Sequence, residues 1–325
     1  MKRIVVDASS RSSTQMALNE LLTEGPTIQE ELYSTLLRFR LHKYALTADI
    51  TKMYRQIIMH EEDRNCQLIV WREHPSEQIQ IFRLNTVTYG TAPAPFLATR
   101  CLQMLSDANT MKYPLGSLAI KRDFYVDDLL TGSENFESLD LLRSEVIKIL
   151  NSAGFTLTKW FSNHPKFFDS DCTEKSLSFN DKSSTKTLGI HWLPKEDLFR
   201  FVLDDNFNDL RATKRNILLV SARLFDPPLV TKAKILLQEL WIQKLDWDEL
   251  ISLRLDTSWQ NFKANLMQLS SISIPRYVNV ESSAMCQIHG FSDASGRTDA
   301  AYTYEANLLM VLNACCLLQS LEWLR

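Results

Sequence analysis

Two adjacent acids interrupt an apolar stretch in this chain: Phe124, Tyr125, Val126, Asp127, Asp128, Leu129, Leu130 and Thr131 follow one another. Aromatic and branched residues on both sides read as two short strands, with the acids in the tight turn between them. Such a pair is costly to bury, because neighbouring carboxylates repel each other and resist leaving water. It is therefore either a solvated turn or a cation site. Asp49 has a similar setting, a lone acid near the end of the strand-like run 44–50. Three carboxylates on adjoining strands make a candidate site for two Mg²⁺ ions of the kind that serves phosphoryl transfer. For the Asp127–Asp128 pair alone, the solvated turn is the more ordinary arrangement.

The rest of the chain favours an α+β architecture. Apolar periodicity predicts helices over 28–40, over 93–105 with Pro93 and Pro95 in the first turn, and over 139–152, closed by Gly154. Residues 67–71 and 78–84 predict a hairpin, and 119–130 a strand, tight turn and strand. The polar segment 163–184 reads as a linker or exposed loop, and 211–240 as helical with a break at Asp226, Pro227 and Pro228. Hairpins interleave with helices without a regular βαβ rhythm, which sets aside a doubly wound sheet.

The 325 residues carry 36 Lys and Arg against 39 Asp and Glu, a net charge of −3. Any basic footprint for nucleic acid is therefore local. Arg211, Lys214, Arg215, Arg223, Lys232 and Lys234 stand together against the single acid Asp226. That run is either a phosphate-gripping surface or a solvated helix face. The 6 cysteines include no CxxC pair, so free thiols in a reducing, intracellular setting are expected and structural zinc is not. The opening residues turn polar too soon for a secretory signal, and no apolar run is long enough to cross a bilayer, so no membrane partner is expected.

Three stretches in fixed order resemble reverse transcriptases. Residues 124–128 match their YxDD box, and Asp49 followed by Tyr54 matches their first palm motif. Tyr89, Gly90, Thr91, Ala92 and Pro93 resemble the motif between the two. Residues 154–160 are similar to the lysine motif after the catalytic hairpin, 187–192 to the primer-grip hairpin and 4–9 to the fingers motif. The wording of 37–43, 159–163 and 225–228 points to Pao/BEL-type LTR retrotransposon polyproteins. The resemblance spans residues 2–299.

It implies a right-hand polymerase palm, an antiparallel sheet with packed helices. Partial fingers would occupy 1–45, the palm 46–165, the primer-grip hairpin and thumb 166–245, a connection 246–288 and a truncated ribonuclease H-like start 289–325. The implied activity is RNA-directed DNA synthesis by two-metal nucleotidyl transfer onto a primer 3′-hydroxyl, with Mg²⁺ as cofactor and Mn²⁺ as a substitute. Asp49, Asp127 and Asp128 would be catalytic and would hold the metals together with the Ile50 carbonyl. Arg3, Tyr54, Gln56, Gly90 and Lys159 would meet the nucleotide. Among these, Tyr54 would lie beneath the sugar, where its ring excludes a 2′-hydroxyl, and Lys159 near the pyrophosphate. Tyr125, Gly189, Arg211, Lys214 and Arg215 would face primer and template. Plainer roles stay open at this point: a core tyrosine for Tyr54, a surface lysine for Lys159, a terminal arginine for Arg3.

The partners implied are an RNA template, a DNA or tRNA primer and deoxynucleoside triphosphates, within a cytoplasmic particle of the parent element. Asp293 matches the first ribonuclease H carboxylate, a vestigial one because no further acid of that site is matched after Tyr304. Two expectations follow. One is a polymerase fragment of a retrotransposon polyprotein, and the other is an inactive remnant that at most binds nucleic acid. The three acids favour the first, and the unmatched ends favour the second.

Overall fold

An antiparallel sheet and its covering helices organise the first of two units in the computed structural model. The structure describes residues 6–169, 185–187, 190–200, 210–223, 227–269, 273–278, 286–294, 299–307 and 315–320. In chain order the first unit contains α1 (Leu18–Leu21), α2 (Leu32–Leu41), β1 (Tyr44–Ile50), β2 (Leu68–Trp71) and β3 (Gln80–Arg83). It continues with α3 (Ala94–Asn109), α4 (Pro114–Arg122), β4 (Phe124–Tyr125), β5 (Asp128–Ser133), α5 (Phe136–Ser152), β6 (Leu157–Ser162) and α6 (Lys166–Asp169). The last residues of α2 and of β6 belong to the second unit.

The sheet order is β4-β5-β1-β6. Its inner strand β1 buries Ala45, Leu46, Ala48 and Ile50, the near-continuous apolar run expected of a strand covered on both faces. From α5, Leu139, Leu142, Val146, Ile149 and Leu150 join the same core, and each such side chain contributes about 1.5–3 kcal/mol by leaving water. The Asn135 side chain accepts the Ser138 N–H at 2.8 Å and starts that helix. β2 and β3 form the predicted hairpin, exposed along most of its length.

One prediction fails here. Residues 114–122 are helical, where a strand was expected from 119. Pro114 suits a first helical turn, and Gly116 lets α4 lie directly on α5, since a Cβ there would stand 2.6 Å from the Glu145 Cβ. The buried Glu145 carboxylate accepts the Gly116 N–H at 2.7 Å. Tertiary packing thus overrides the local β-like pattern, and β4 is left only two residues long. Inside the expected linker, α6 forms a single turn whose Phe167 is buried, while 170–184 lie outside the described residues.

Asp123, between α4 and β4, is a strongly perturbed carboxyl group. Burial pushes its pKa up to about 6 despite a 2.6 Å hydrogen bond donated by the Thr131 hydroxyl. The charges of Arg38, whose Nε lies 3.6 Å away while its Nη2 pairs with Glu30 at 2.6 Å, and of Arg122 also act against the burial without offsetting it. Because the folded state holds this proton more tightly than the unfolded chain, its contribution is fully present below pH 4 and is lost as pH rises through 6. Denaturant titrations of the parent should lose about 3 kcal/mol from this group over that window, and Asp123→Asn should flatten the dependence. An equally steep profile in the variant would assign it to another group.

The second unit holds β7 (Thr185–Thr187), β8 (Ile190–Leu193), β9 (Leu198–Arg200), α7 (Lys214–Arg223), α8 (Pro227–Ile242), α9 (Leu253–Leu269) and β10 (Ser273–Pro275). These are followed by β11 (Cys286–Ala294), β12 (Asp299–Asn307) and β13 (Cys315–Ser320). Its sheets run β10-β9-β8-β7 and β11-β12-β13. Ile217, Val220, Leu236, Leu240, Leu255, Trp259, Phe262 and Leu266 build the core between the three helices. Among the described residues, no helix is long and apolar enough to cross a membrane.

Candidate active site

The turn between β4 and β5 consists of Val126 and Asp127, because Tyr125 already pairs with Asp128. Val126 has φ +56°, a left-handed conformation that is an outlier for a β-branched residue. The Ile50 N–H donates to the Asp127 carbonyl at 2.8 Å and ties the turn to the end of β1. Register places Asp49 directly opposite Asp128, so their side chains share one face of the sheet. From the neighbouring strand β6, Lys159 extends its Nζ to Asp49 Oδ2 at 2.9 Å. Lys159 also has positive φ, +54°. Two left-handed residues, one on each side of β1, therefore flank the acid pair.

Asp127 is held above the usual carboxylate range, chiefly by burial and further by the negative charge of Asp49; its own amide and Lys159 act the other way. Tyr54 is raised by burial and then by the charge of Asp127. It sits in the 3-10 turn Met53–Gln56 and packs against the core. Asp127 is thus within electrostatic reach of Asp49, Lys159 and Tyr54. Among the described residues, no group of three or more His, Cys, Asp or Glu side chains is gathered as a metal site. What is gathered is the Asp49–Asp127 pair, whose mutual repulsion is partly offset by the Lys159 ammonium. Hard carboxylate oxygens with a cation already drawn to them fit a Mg²⁺-class ion.

The other expected site residues are spread more widely. Tyr125 lies on β4 beside the turn. Gln56 is exposed, and its Nε2 donates to the Thr51 carbonyl at 3.4 Å. Gly90 has φ +89°, and a Cβ there would stand 2.7 Å from the Val6 carbonyl oxygen, so the chain itself fills the space beside this glycine. Asn19 holds the same bend, donating to the Gly90 carbonyl at 3.0 Å and accepting the Ala92 N–H at 2.8 Å. Arg3 and Gly189 lie outside the described residues. Asp293 is on β11, opposite Ala300, and its side chain is outside the described residues.

The basic run does not form one open face. Lys214 is buried: its Nζ donates to the Leu245 carbonyl at 3.3 Å and lies 4.2 Å from the Trp241 ring centroid. Arg215 makes a two-pronged pair with Asp248 at 2.7 and 2.9 Å. Arg211 is exposed. The expectation that all three grip phosphates is therefore corrected for Lys214, whose charge is spent on aromatic rings and a carbonyl inside the helical unit. Lys214→Ala should destabilise the chain by about 1–3 kcal/mol without changing the salt dependence of template-primer binding. Arg211→Ala should leave stability unchanged and lower the slope of log affinity against log salt by roughly one. The opposite pattern would return Lys214 to the nucleic-acid surface.

Three features had no signature in the motifs. Thr51 and Thr158 share a 2.9 Å hydroxyl contact, and the Thr51 N–H donates to the Thr156 carbonyl at 2.9 Å, joining β1 to β6 behind Asp49. The left-handed Val126 is visible only in backbone angles. Gln29, far away in sequence, hydrogen-bonds the edge of β4.

An antiparallel sheet that presents two acids at a strained turn is the palm arrangement of a polymerase. Residues 5–190 match the family described as "Reverse transcriptase (RNA-dependent DNA polymerase)", and the chain belongs to that family. Residues 213–309 match the family described as "Pao retrotransposon-like RNaseH-like domain". The fold is similar to a solved foamy viral protease-reverse transcriptase in complex with double-stranded DNA, with TM-score 0.52 and 15% sequence identity. That match covers 94% of this chain and 47% of the other, so the chain spans about half of that relative's length. No curated protein matches the sequence.

Proposed function

We propose that this chain carries the polymerase portion of a retroelement reverse transcriptase, extending a primer 3′-hydroxyl with deoxynucleotides along an RNA template. The observation that carries this reading is the approach of Asp49 and Asp127 at the end of the sheet, beside Lys159. Asp49 and Asp127 would hold the divalent cations, with Asp128 placed opposite Asp49 in the register. When bound, such ions activate the attacking hydroxyl and stabilise the charge that builds on the phosphoryl oxygens. Lys159 balances the carboxylate charge beforehand and is a donor suited to the leaving pyrophosphate. The Tyr54 ring, close enough to Asp127 to feel its charge, is suited to sit beneath the sugar and refuse a 2′-hydroxyl.

The test is direct. The purified chain, supplied with a primed RNA template, deoxynucleoside triphosphates and Mg²⁺ or Mn²⁺, should lengthen the primer. Binding of template-primer without extension under either metal would favour the inactive remnant.

A further inference from the structure

We infer that Gln29 is a positioning residue for the Val126–Asp127 turn, acting as a strut on the open edge of β4; the catalytic consequence rests on the function proposed for Asp127. Strand β4 is at the border of its sheet and, among the described residues, pairs only with β5. Along a strand, the C=O of one residue and the N–H two residues on point the same way. Tyr125 faces Asp128 in the pair, so the Phe124 C=O and the Val126 N–H point away from β5. Both are met by a single side chain. Gln29 Nε2 donates to the Phe124 carbonyl at 3.0 Å, and Gln29 Oε1 accepts the Val126 N–H at 3.1 Å.

The amide therefore does what the peptide of a further strand would do. Only a group with a donor and an acceptor side by side can do so; a Glu, ionised, would accept from Val126 but repel the Phe124 oxygen. The bonded residue matters as much as the bonds. Val126 is the left-handed residue of the turn, and that conformation persists only where its surroundings over-determine it. Its side chain packs on the core. The Ile50 N–H holds the next carbonyl from inside the sheet at 2.8 Å, and Gln29 holds Val126 from outside. Without the strut, the peptide preceding Asp127 is free to rotate towards an ordinary φ, and the carboxylate leaves its place beside Asp49.

Hydrogen exchange of the whole chain tests the strut independently of polymerase activity. In Gln29→Ala, the peptide covering 124–130 should exchange at least about fivefold faster at the Val126 amide, while peptides from α5 keep parental rates. Gln29→Glu, nearly identical in size, should show the same local loosening. Where the parent extends primers, Gln29→Ala should lower kcat by roughly tenfold with template-primer affinity unchanged. Glycine at 126 removes the strain, so the kcat loss from Gln29→Ala should shrink when Val126→Gly is already present. Unchanged exchange over 124–130, or faster exchange spread evenly through α5, would overturn the proposal. If the parent extends no primer, the function assigned to Asp127 fails, and the exchange comparison still decides whether Gln29 holds the turn.

Discussion

Asp127→Asn should abolish primer extension while leaving template-primer binding intact. The substitution keeps the size of the side chain and removes one negative charge. Burial and the charge of Asp49 already hold the Asp127 carboxyl above its ordinary range, so the fold loses a repulsion rather than a support. Stability should accordingly stay level or rise slightly, which separates lost chemistry from lost structure. On the function proposed, the missing anionic ligand would weaken the hold on a cation that would stabilise entering and leaving oxygens, a loss of several kcal/mol of barrier or on the order of a thousandfold in rate. Single-nucleotide extension beside a binding assay on the same preparation measures both quantities. A variant that extends at the parental rate would remove Asp127 from the reaction.

Arg276→Met should be the most damaging single change in the second unit. All five guanidinium hydrogens have acceptors there. Nε and Nη2 bind the Asp197 carboxylate at 2.6 and 2.8 Å, Nη1 binds the carbonyls of Phe39 and His42 at 2.6 and 2.8 Å, and Nη2 also reaches the Lys43 carbonyl at 3.2 Å. Asp197 in turn accepts from Trp192 Nε1 at 3.0 Å and from Asn163 at 3.1 Å. Arg276 has no exposed surface. Removing it leaves the Asp197 carboxylate without its counter-charge and takes a donor from the Phe39, His42 and Lys43 carbonyls at once, a loss of about 3–5 kcal/mol. Denaturant unfolding should show a lowered midpoint, and Asp197→Leu added to Arg276→Met should recover part of the loss, since both members of the pair are then gone. A midpoint within error of the parent would mean that this network forms without contributing.

Neither Arg276 nor its partner stands out in the chain as written. Three whole helices, α7, α8 and α9, separate Asp197 from Arg276 in the chain, and no local pattern distinguishes a buried arginine from an exposed one. Lys214 illustrates the converse: its neighbours made it look like part of a phosphate-binding run, yet Trp241 and Trp247, brought near by α8 and the segment after it, cover it from solvent. The misread strand at 119–122 has the same origin. Alanine and isoleucine suit either element locally, and the contact of Gly116 with Glu145 decides for helix.

What the sequence by itself determined is the part carried by short-range chemistry. Strand β1 was legible because an apolar run ending in an acid has few other uses, α3 because prolines mark its start, and the acid turn because two adjacent carboxylates between apolar strands are costly anywhere else. Motif order then pointed to the family. Tertiary structure alone decided that Asp49 and Asp127 meet, that Lys159 crosses from β6 to Asp49, that Val126 is left-handed and that Gln29 braces it. Those facts depend on strand order and register, which follow from the burial of whole faces rather than from the identity of any neighbouring residue.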